Sequence, residues 1–422
     1  MTVELHRAPV VLPIDRPAIV DGAVAVRAGR IIAVGPHDTV AALYPDATRY
    51  EWDGALLPGL VNAHTHLQYT SMAEVGRAEH DGFETWMHAF QELYDQPHDW
   101  LDSAAAGAAL SLRGGVTAVA EIVTDPDAGS AVHDAGLHGV VYWEVMGWLD
   151  ADWRTGGRDE VLAQLRRIPS PPVVGLSPHA VYSLDTGVLR DLAGLAAELG
   201  IRQHIHAAES AWEDAYVRTG TGELADTWRT LEQRADFTLL KEDGCGKSVI
   251  EYLDDLGSLS PATHLAHGIY VDAEDRRILR ERGVVVALCP RSNAVIGLNP
   301  PPVADYLREG NVIAVGTDSL SSSPSLSLLE DVAALHRLAR AQGYAGADLH
   351  ERLLTAATRG GAVALGLDDA GTLTAGRRAD LAVFPVASTV PADAVAELVE
   401  TGPAEAVATV VAGRIRWQAP GR

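Results

Sequence analysis

The chain of 422 residues carries 33 basic against 57 acidic side chains, a formal net charge of −24, which excludes nucleic-acid or anionic-membrane binding by bulk charge. Its 47% apolar and 21% charged residues mark a globular protein, long enough for two or three domains of ~150 residues or for one large α/β barrel with an accessory domain. Cys245 and Cys289 are too few for a disulfide framework, the opening MTVELHRAPV lacks a signal-peptide pattern, and no apolar run reaches the ~20 residues of a membrane span. A cytoplasmic protein is expected.

Residues 1–55 form short β-patterned stretches such as AVAVRAGRIIAVG (23–35), with turn residues between them and no long helical period. Eight apolar runs ending in polar residues follow: LLPGLVNAHTH (56–66), VTAVAEIV (116–123), LHGVVYWEVMG (137–147), PVVGLSPHAVYS (172–183), IRQHIHAAES (201–210), THLAHGIYV (263–271), VVVALCPRSN (284–293) and NVIAVGTDSL (311–320). Helical patterns lie between them, among them Thr186 to Leu199 stopped by Gly200 and Ala273 to Arg282 stopped by Gly283. Leu326 to Ala341 and Leu349 to Leu365 continue in helical period after the eighth run. Eight strands alternating with helices predict a (β/α)8 barrel. Its wider gaps, 67–98 and 211–262, are expected to be lids over the C-terminal mouth. The tail is again β-patterned, in GTLTAGRRADLAVFPV (371–386) and AVATVVAGRIRW (406–417). The expected architecture is α/β: a barrel over 56–369 beside a small β-sandwich domain built from 1–55 and 370–422.

Functional side chains of such a barrel belong at the C-terminal strand ends. Strand one ends in His64-Thr65-His66, strand five has His204-Ile205-His206 followed by Glu209, strand six has His267 and strand eight Asp318. A spacing of two puts both imidazoles of His64 and His66 on one face. A pair of this kind arises easily by chance among 16 histidines. Joined to a third histidine and a carboxylate on later strands, it suits a borderline divalent ion such as Zn2+ with an open position for water.

With these strand ends, PGLVNAHTH, HIHAAE, LAHGIYVD, GTDS and the terminal GTLTAGRRADLAVF, the chain resembles the amidohydrolase superfamily, specifically its metal-dependent deaminase branch acting on adenine-type compounds. The resemblance implies a mononuclear site with ligands His64, His66, His206 and Asp318, supported by His204, and a cofactor that is Zn2+ or alternatively Fe2+ or Mn2+. Binuclear relatives commonly bridge two metals with a lysine on strand four. Only two of the 33 basic residues are lysines, Lys241 and Lys247, and neither falls on a barrel strand.

The chemistry implied is hydrolytic release of ammonia. A bound metal lowers the pKa of water from ~15.7 towards ~7; Asp318 is placed to accept the proton and His267 to hydrogen-bond the nucleophile. Glu209 would protonate the leaving nitrogen, as the non-ligand Glu does in nucleobase deaminases; capping of the next helix is its alternative role. His179, in SPHAVYS, is either a hydrogen-bond partner of a substrate ring nitrogen or a packing residue.

Trp86, in GFETWMHAF, is read as a cover for a purine base or as helix packing. Glu92 or Asp95 would bind a ribose diol or lie on the surface. CPRSN (289–293) resembles an element of aminofutalosine deaminases, where Arg291 would pair with a substrate carboxylate; bracing of a loop is the alternative. The leading substrate is therefore 6-aminodeoxyfutalosine, of the futalosine route to menaquinone. Alternatives are S-adenosylhomocysteine, methylthioadenosine, adenosine, 8-oxoguanine, another aminated heterocycle or a triazine halide. A barrel that keeps its ligands for stability or binding alone would have no use for Glu209 and His267. No nucleic-acid or membrane partner is expected, and a homodimer is. GCGKS (244–248) fails as a phosphate loop because Lys241 stands where the first glycine belongs, and Cys289 reads as a structural thiol.

Overall fold

A computed structural model describes residues 2–231 and 234–420. Met1, Gly421 and Arg422, at the outer ends of the expected terminal segments, and Glu232 and Gln233, inside the expected 211–262 lid, lie outside the described residues.

The N-terminal strands are β1 (Glu4–Val11), β2 (Ile19–Arg27), β3 (Arg30–Pro36), β4 (Thr48–Glu51) and β5 (Ala55–Pro58). The barrel strands are β6 (Leu60–Thr65), β7 (Val116–Val123), β8 (His138–Val145), β9 (Val173–Pro178), β10 (Gln203–Ala207), β11 (Thr263–His267), β12 (Val285–Leu288) and β13 (Ile313–Val315). They pair in chain order, all in parallel, as expected of eight strands buried between their own helices and a filled interior. Between the first and last strands a side-chain clasp holds the seam. Asn62 donates to Thr317 Oγ1 at 2.7 Å, and the Thr317 N–H donates to Asn62 Oδ1 at 3.1 Å.

The second sheet joins both chain ends. β14 (Leu381–Phe384), β15 (Ala408–Val411) and β16 (Arg414–Gln418) extend the N-terminal strands, in the order β16-β15-β14-β5-β1-β2-β3, with β4 beside β1. It is one continuous sheet. It folds over so that Val24, Val26 and Ile31 share a core with Leu381, Val383 and Val410, which gives the interior of a sandwich without two separate sheets. The run 56–66, read as one strand, divides at Gly59: β5 pairs with β14 in the terminal sheet, and only β6 belongs to the barrel. Hairpins β2-β3 and β15-β16 turn on Ala28-Gly29 (φ 54° and 75°) and Ala412-Gly413 (φ 46° and 74°), the doubly left-handed turn that matches strand twist and for which glycine is the favoured second residue.

The helices Thr186–Leu199 and Ala273–Arg282 have their expected limits, with Gly200 and Gly283 left-handed at the caps. The expected helix 326–341 begins at Leu328, and that at 349–365 is interrupted by a wide turn at Ala356–Gly360. Both expected lids are largely helical: Phe83–Tyr94 in the first, and Ala211–Thr219, Glu223–Thr230, Thr238–Lys241 and Val249–Asp255 in the second. Lys241 and Lys247 lie in the second lid and pair with Asp236 and Asp255. Among the described residues, no helix is long and apolar enough to cross a membrane.

Candidate active site

The strand ends converge on one cluster. His64 comes from β6 and His66 directly follows it, His206 comes from β10, His267 from β11, and Asp318 follows β13. His66 Nε2 and His206 Nε2 are 3.2 Å apart, His64 Nε2 and Asp318 Oδ1 3.5 Å, and His66 Nε2 and Asp318 Oδ1 3.8 Å. Donors ~2.1 Å from a shared tetrahedral ion would be separated by ~3.4 Å, so these separations fit a single divalent ion. The chemistry of the donors agrees. Both ring nitrogens of His64 are buried without a hydrogen-bond partner, a costly state in a protein interior. Burial, then the charge of His64, pushes His66 down to about 3, which keeps its lone pair available. His206 Nδ1 donates to the His179 carbonyl at 3.1 Å, so Nε2 carries the free lone pair.

Two of these positions sit in strained backbone. His267 (φ 73°) and Asp318 (φ 59°) are left-handed although neither is glycine. Such conformations persist only where surrounding structure enforces them, and they concentrate at functional sites. Here the Asp318 N–H donates to the His64 carbonyl at 3.0 Å, and its Oδ2 accepts from Ser292 Oγ at 2.7 Å.

Glu209 and His267 face each other, with Oε1 3.5 Å from Nε2. His267 Nδ1 meets Asn293 Oδ1 at 3.2 Å, which orients the ring. Burial, reinforced by Asp318, pushes the Glu209 carboxyl up to about 8, so it holds its proton at neutral pH. Its backbone N–H donates to the buried Glu213 carboxyl Oε2 at 2.8 Å, while Ser210 caps the next helix; Glu209 itself is not the cap.

Above this cluster is a cavity of about 430 Å³. Trp86 lines it, and its indole N–H donates to the Ser321 carbonyl at 2.9 Å. His179 also lines it, with Nδ1 2.9 Å from Ser183 Oγ. His204 lies deeper, stacked on His64 with ring centres 4.8 Å apart.

Three expected substrate contacts are corrected. Glu92 and Asp95 are exposed and are not part of the cavity wall, where Gln91 stands instead; the helix turns their side chains outward, and Asp95 accepts from Gln91. Arg291 is also absent from the wall. It opens the helix Pro290–Ile296 and points away, donating to Asp331 at 3.0 Å, Glu330 at 2.7 Å and the carbonyls of Ser325 and Ser327. It is a loop brace. Its neighbours Ser292 and Asn293 are the residues through which this segment serves the site.

Sequence reasoning passed over several participants. Glu144, at the end of β8, lines the cavity 3.7 Å from His206 Nδ1; applying the strand-end rule to YWEVMG would have found it. Glu121 on β7 accepts the Leu67 N–H at 2.9 Å and the Thr65 hydroxyl at 2.6 Å, which fixes the chain on both sides of His66. Trp228 and Arg234, from the second lid, carried no signal at all.

The amidohydrolase family pattern matches residues 55–416, and residues 22–47 match a bacterial imidazolonepropionase-like composite domain. A 5-methylthioadenosine/S-adenosylhomocysteine deaminase of Nitratidesulfovibrio vulgaris (strain DP4) is 32% identical over 379 residues, spanning 87% of this chain and 79% of the relative. The crystal structure of an adenosine deaminase from Xanthomonas campestris with bound zinc superposes with a TM-score of 0.81 at 25% identity, covering 98% of this chain and 92% of that one. Helicobacter pylori aminofutalosine deaminase in complex with methylthio-coformycin shares the fold, with a TM-score of 0.85 at 20% identity, covering 98% and 99%. This chain belongs to the amidohydrolase family, and is a hydrolase of carbon–nitrogen bonds.

Proposed function

We propose that the protein is a metal-dependent aminohydrolase that removes the exocyclic amine of an adenine-type nucleoside as ammonia. The observation that carries this reading is Glu209, a buried, proton-holding carboxyl that faces His267 at 3.5 Å beside the histidine cluster. A site that only bound metal would have no need of it.

His64, His66, His206 and Asp318 would hold one divalent ion, Zn2+ first, with Fe2+ and Mn2+ as alternatives. When bound, such an ion lowers the pKa of water into the neutral range. The Asp318 carboxylate accepts the proton of the attacking water, and Ser292 holds its second oxygen in place. His267 Nε2 stabilises the attacking oxygen. Glu209 delivers its proton to the substrate nitrogen, so that the amine leaves as neutral ammonia. Trp86 covers the base and His179 hydrogen-bonds a ring nitrogen, while the aromatic walls keep bulk water from the reacting centre.

Methylthioadenosine and S-adenosylhomocysteine lead as substrates, supported by the relative at 32% identity. Aminodeoxyfutalosine, with its place in menaquinone synthesis, is the second reading. The resemblance of CPRSN favours it, although Arg291 no longer does. The enzyme would work in the cytoplasm as a homodimer. The test is ammonia release by zinc-reconstituted protein from these three compounds, adenosine, 8-oxoguanine and a triazine. A kcat/KM of ~10⁴ M⁻¹s⁻¹ or more on an adenine nucleoside supports the reading; turnover of the base or the triazine alone overturns it.

A further inference from the structure

The second lid brings one cation into the cavity. Arg234 lies on the wall of the same cavity as Trp86, His179 and Glu209, with its guanidinium carbon 4.0 Å from the centre of the Trp228 ring. That platform is fixed: Trp228 is 5% exposed and its indole N–H donates to the Tyr182 carbonyl at 2.7 Å. The Arg234 backbone is held as well. Its N–H donates to the Leu231 carbonyl at 2.8 Å, and its carbonyl accepts from Phe237 at 3.1 Å.

The side chain, in contrast, has no anion. Among the described residues, the Arg234 guanidinium makes no ion pair and no hydrogen bond, whereas Arg291 satisfies its donors with two carboxylates and two carbonyls. Arg234 is half-buried, and burial lowers its pKa. Stacking on an indole offsets part of the desolvation of a guanidinium but leaves its planar fork of donors unused. In a chain of net charge −24, with 57 carboxylate side chains to choose from, a cavity cation left unpaired is the exception.

We propose that Arg234 is the specificity residue for a substrate whose sugar carries an anionic substituent, and that its guanidinium binds that carboxylate while Trp228 holds it in position. The inference rests on the deaminase reading above and narrows it. The substrate is an adenine nucleoside with a carboxylate on its tail, in preference to one ending in a neutral alkyl group. An amino-acid thioether nucleoside has this chemistry and methylthioadenosine does not. The anion thereby ties Arg234 and the Trp228 beneath it to a ligand seated over the strand ends.

The probes are two analogues of methylthioadenosine, one with a carboxypropyl group on sulfur and the other its methyl ester. They match in reach and shape and differ in charge. Zinc-loaded wild type is expected to favour the acid by at least ~10-fold in kcat/KM, and Arg234→Met to lower the acid-to-ester ratio by ~10- to 100-fold, as loss of a charge-assisted hydrogen bond requires. Arg234→Gln, which keeps a polar side chain should the methionine variant fail to fold, gives the same fall. An unchanged ratio in the folded variant overturns the inference, even with deamination intact. If wild type releases ammonia from neither probe, the deaminase reading fails; the ratio of dissociation constants for the two probes, measured calorimetrically in wild type and variant, then decides the role of Arg234 by the same criterion.

Discussion

Replacing Arg291 by alanine separates a brace from a substrate contact. The side chain donates to Asp331 and Glu330, to the Ser325 hydroxyl and to the carbonyls of Ser325 and Ser327. Asp331 has no exposed surface, and even beside this arginine its carboxyl is pushed up to about 6 by burial. Removal of one partner from a buried pair leaves an uncompensated group and costs ~3–5 kcal/mol, a sizeable share of a typical stability of ~5–15 kcal/mol. At an unfolding entropy of ~2.1 cal/mol/K per residue, that corresponds to a melting temperature lower by ~3–6 °C for a chain of this length. Thermal melts of wild type, Arg291→Ala and Arg291→Lys are the assay, with kcat/KM measured on the acid and ester probes. Alanine should melt lowest and lysine between, with the acid-to-ester ratio unmoved. A variant that melts like wild type, or that loses only the carboxylate-bearing substrate, refutes the assignment as a brace.

Glu209→Gln should lower kcat by ~10²- to 10⁴-fold while metal content stays at the wild-type level, since the residue moves a proton and holds no ion; elemental analysis beside the rate assay checks both. Asp318→Asn should lose both activity and metal, and wild type stripped by a chelator should regain its rate on addition of Zn2+; chelated protein that keeps its full rate would remove the metal from the mechanism. His6, packed beside Tyr50 and hydrogen-bonded by the Trp52 indole in the terminal sheet, is pushed down to about 4 by burial. Below pH ~6.5 the unfolded chain takes up a proton that the folded chain refuses, so stability is complete above 6.5 and declines by up to ~3 kcal/mol as pH falls towards 4. Melts across that range should show the slope in wild type, and His6→Gln should flatten it.

The barrel and its histidine cluster are legible in the sequence for one reason. A strand of a closed parallel barrel has a single functional end, and alternation along it tells which side chains reach that end. His64, His66 and His206 obey that rule, whereas His267 and Asp318 lie at the right ends but reach the site through left-handed backbone that alternation does not foretell. Arg291, Glu92 and Asp95 do not lie on strands. The direction of a side chain on a helix depends on what packs against that helix, and Asp331, the residue that turns Arg291 away, is 40 positions further along. The same limit hid Arg234 and Trp228, whose place over the cavity is set by how the second lid folds back. The break at Gly59 was equally hidden, because an apolar run reads alike whether it serves one sheet or two.

The pairing of β5 with β14 has a consequence for biosynthesis. Leu57 lies opposite Ala382, so a strand made early waits for a partner synthesised more than three hundred residues later. Until β14 emerges, a ribosome-bound intermediate carries a barrel whose neighbouring half-sheet ends in an apolar, hydrogen-bond-hungry edge, the kind of edge on which incomplete chains associate. Non-local pairing of this sort is slow to form. A product truncated before Leu381 would retain every residue of the histidine cluster and still be liable to aggregate, because it lacks the strand that covers β5.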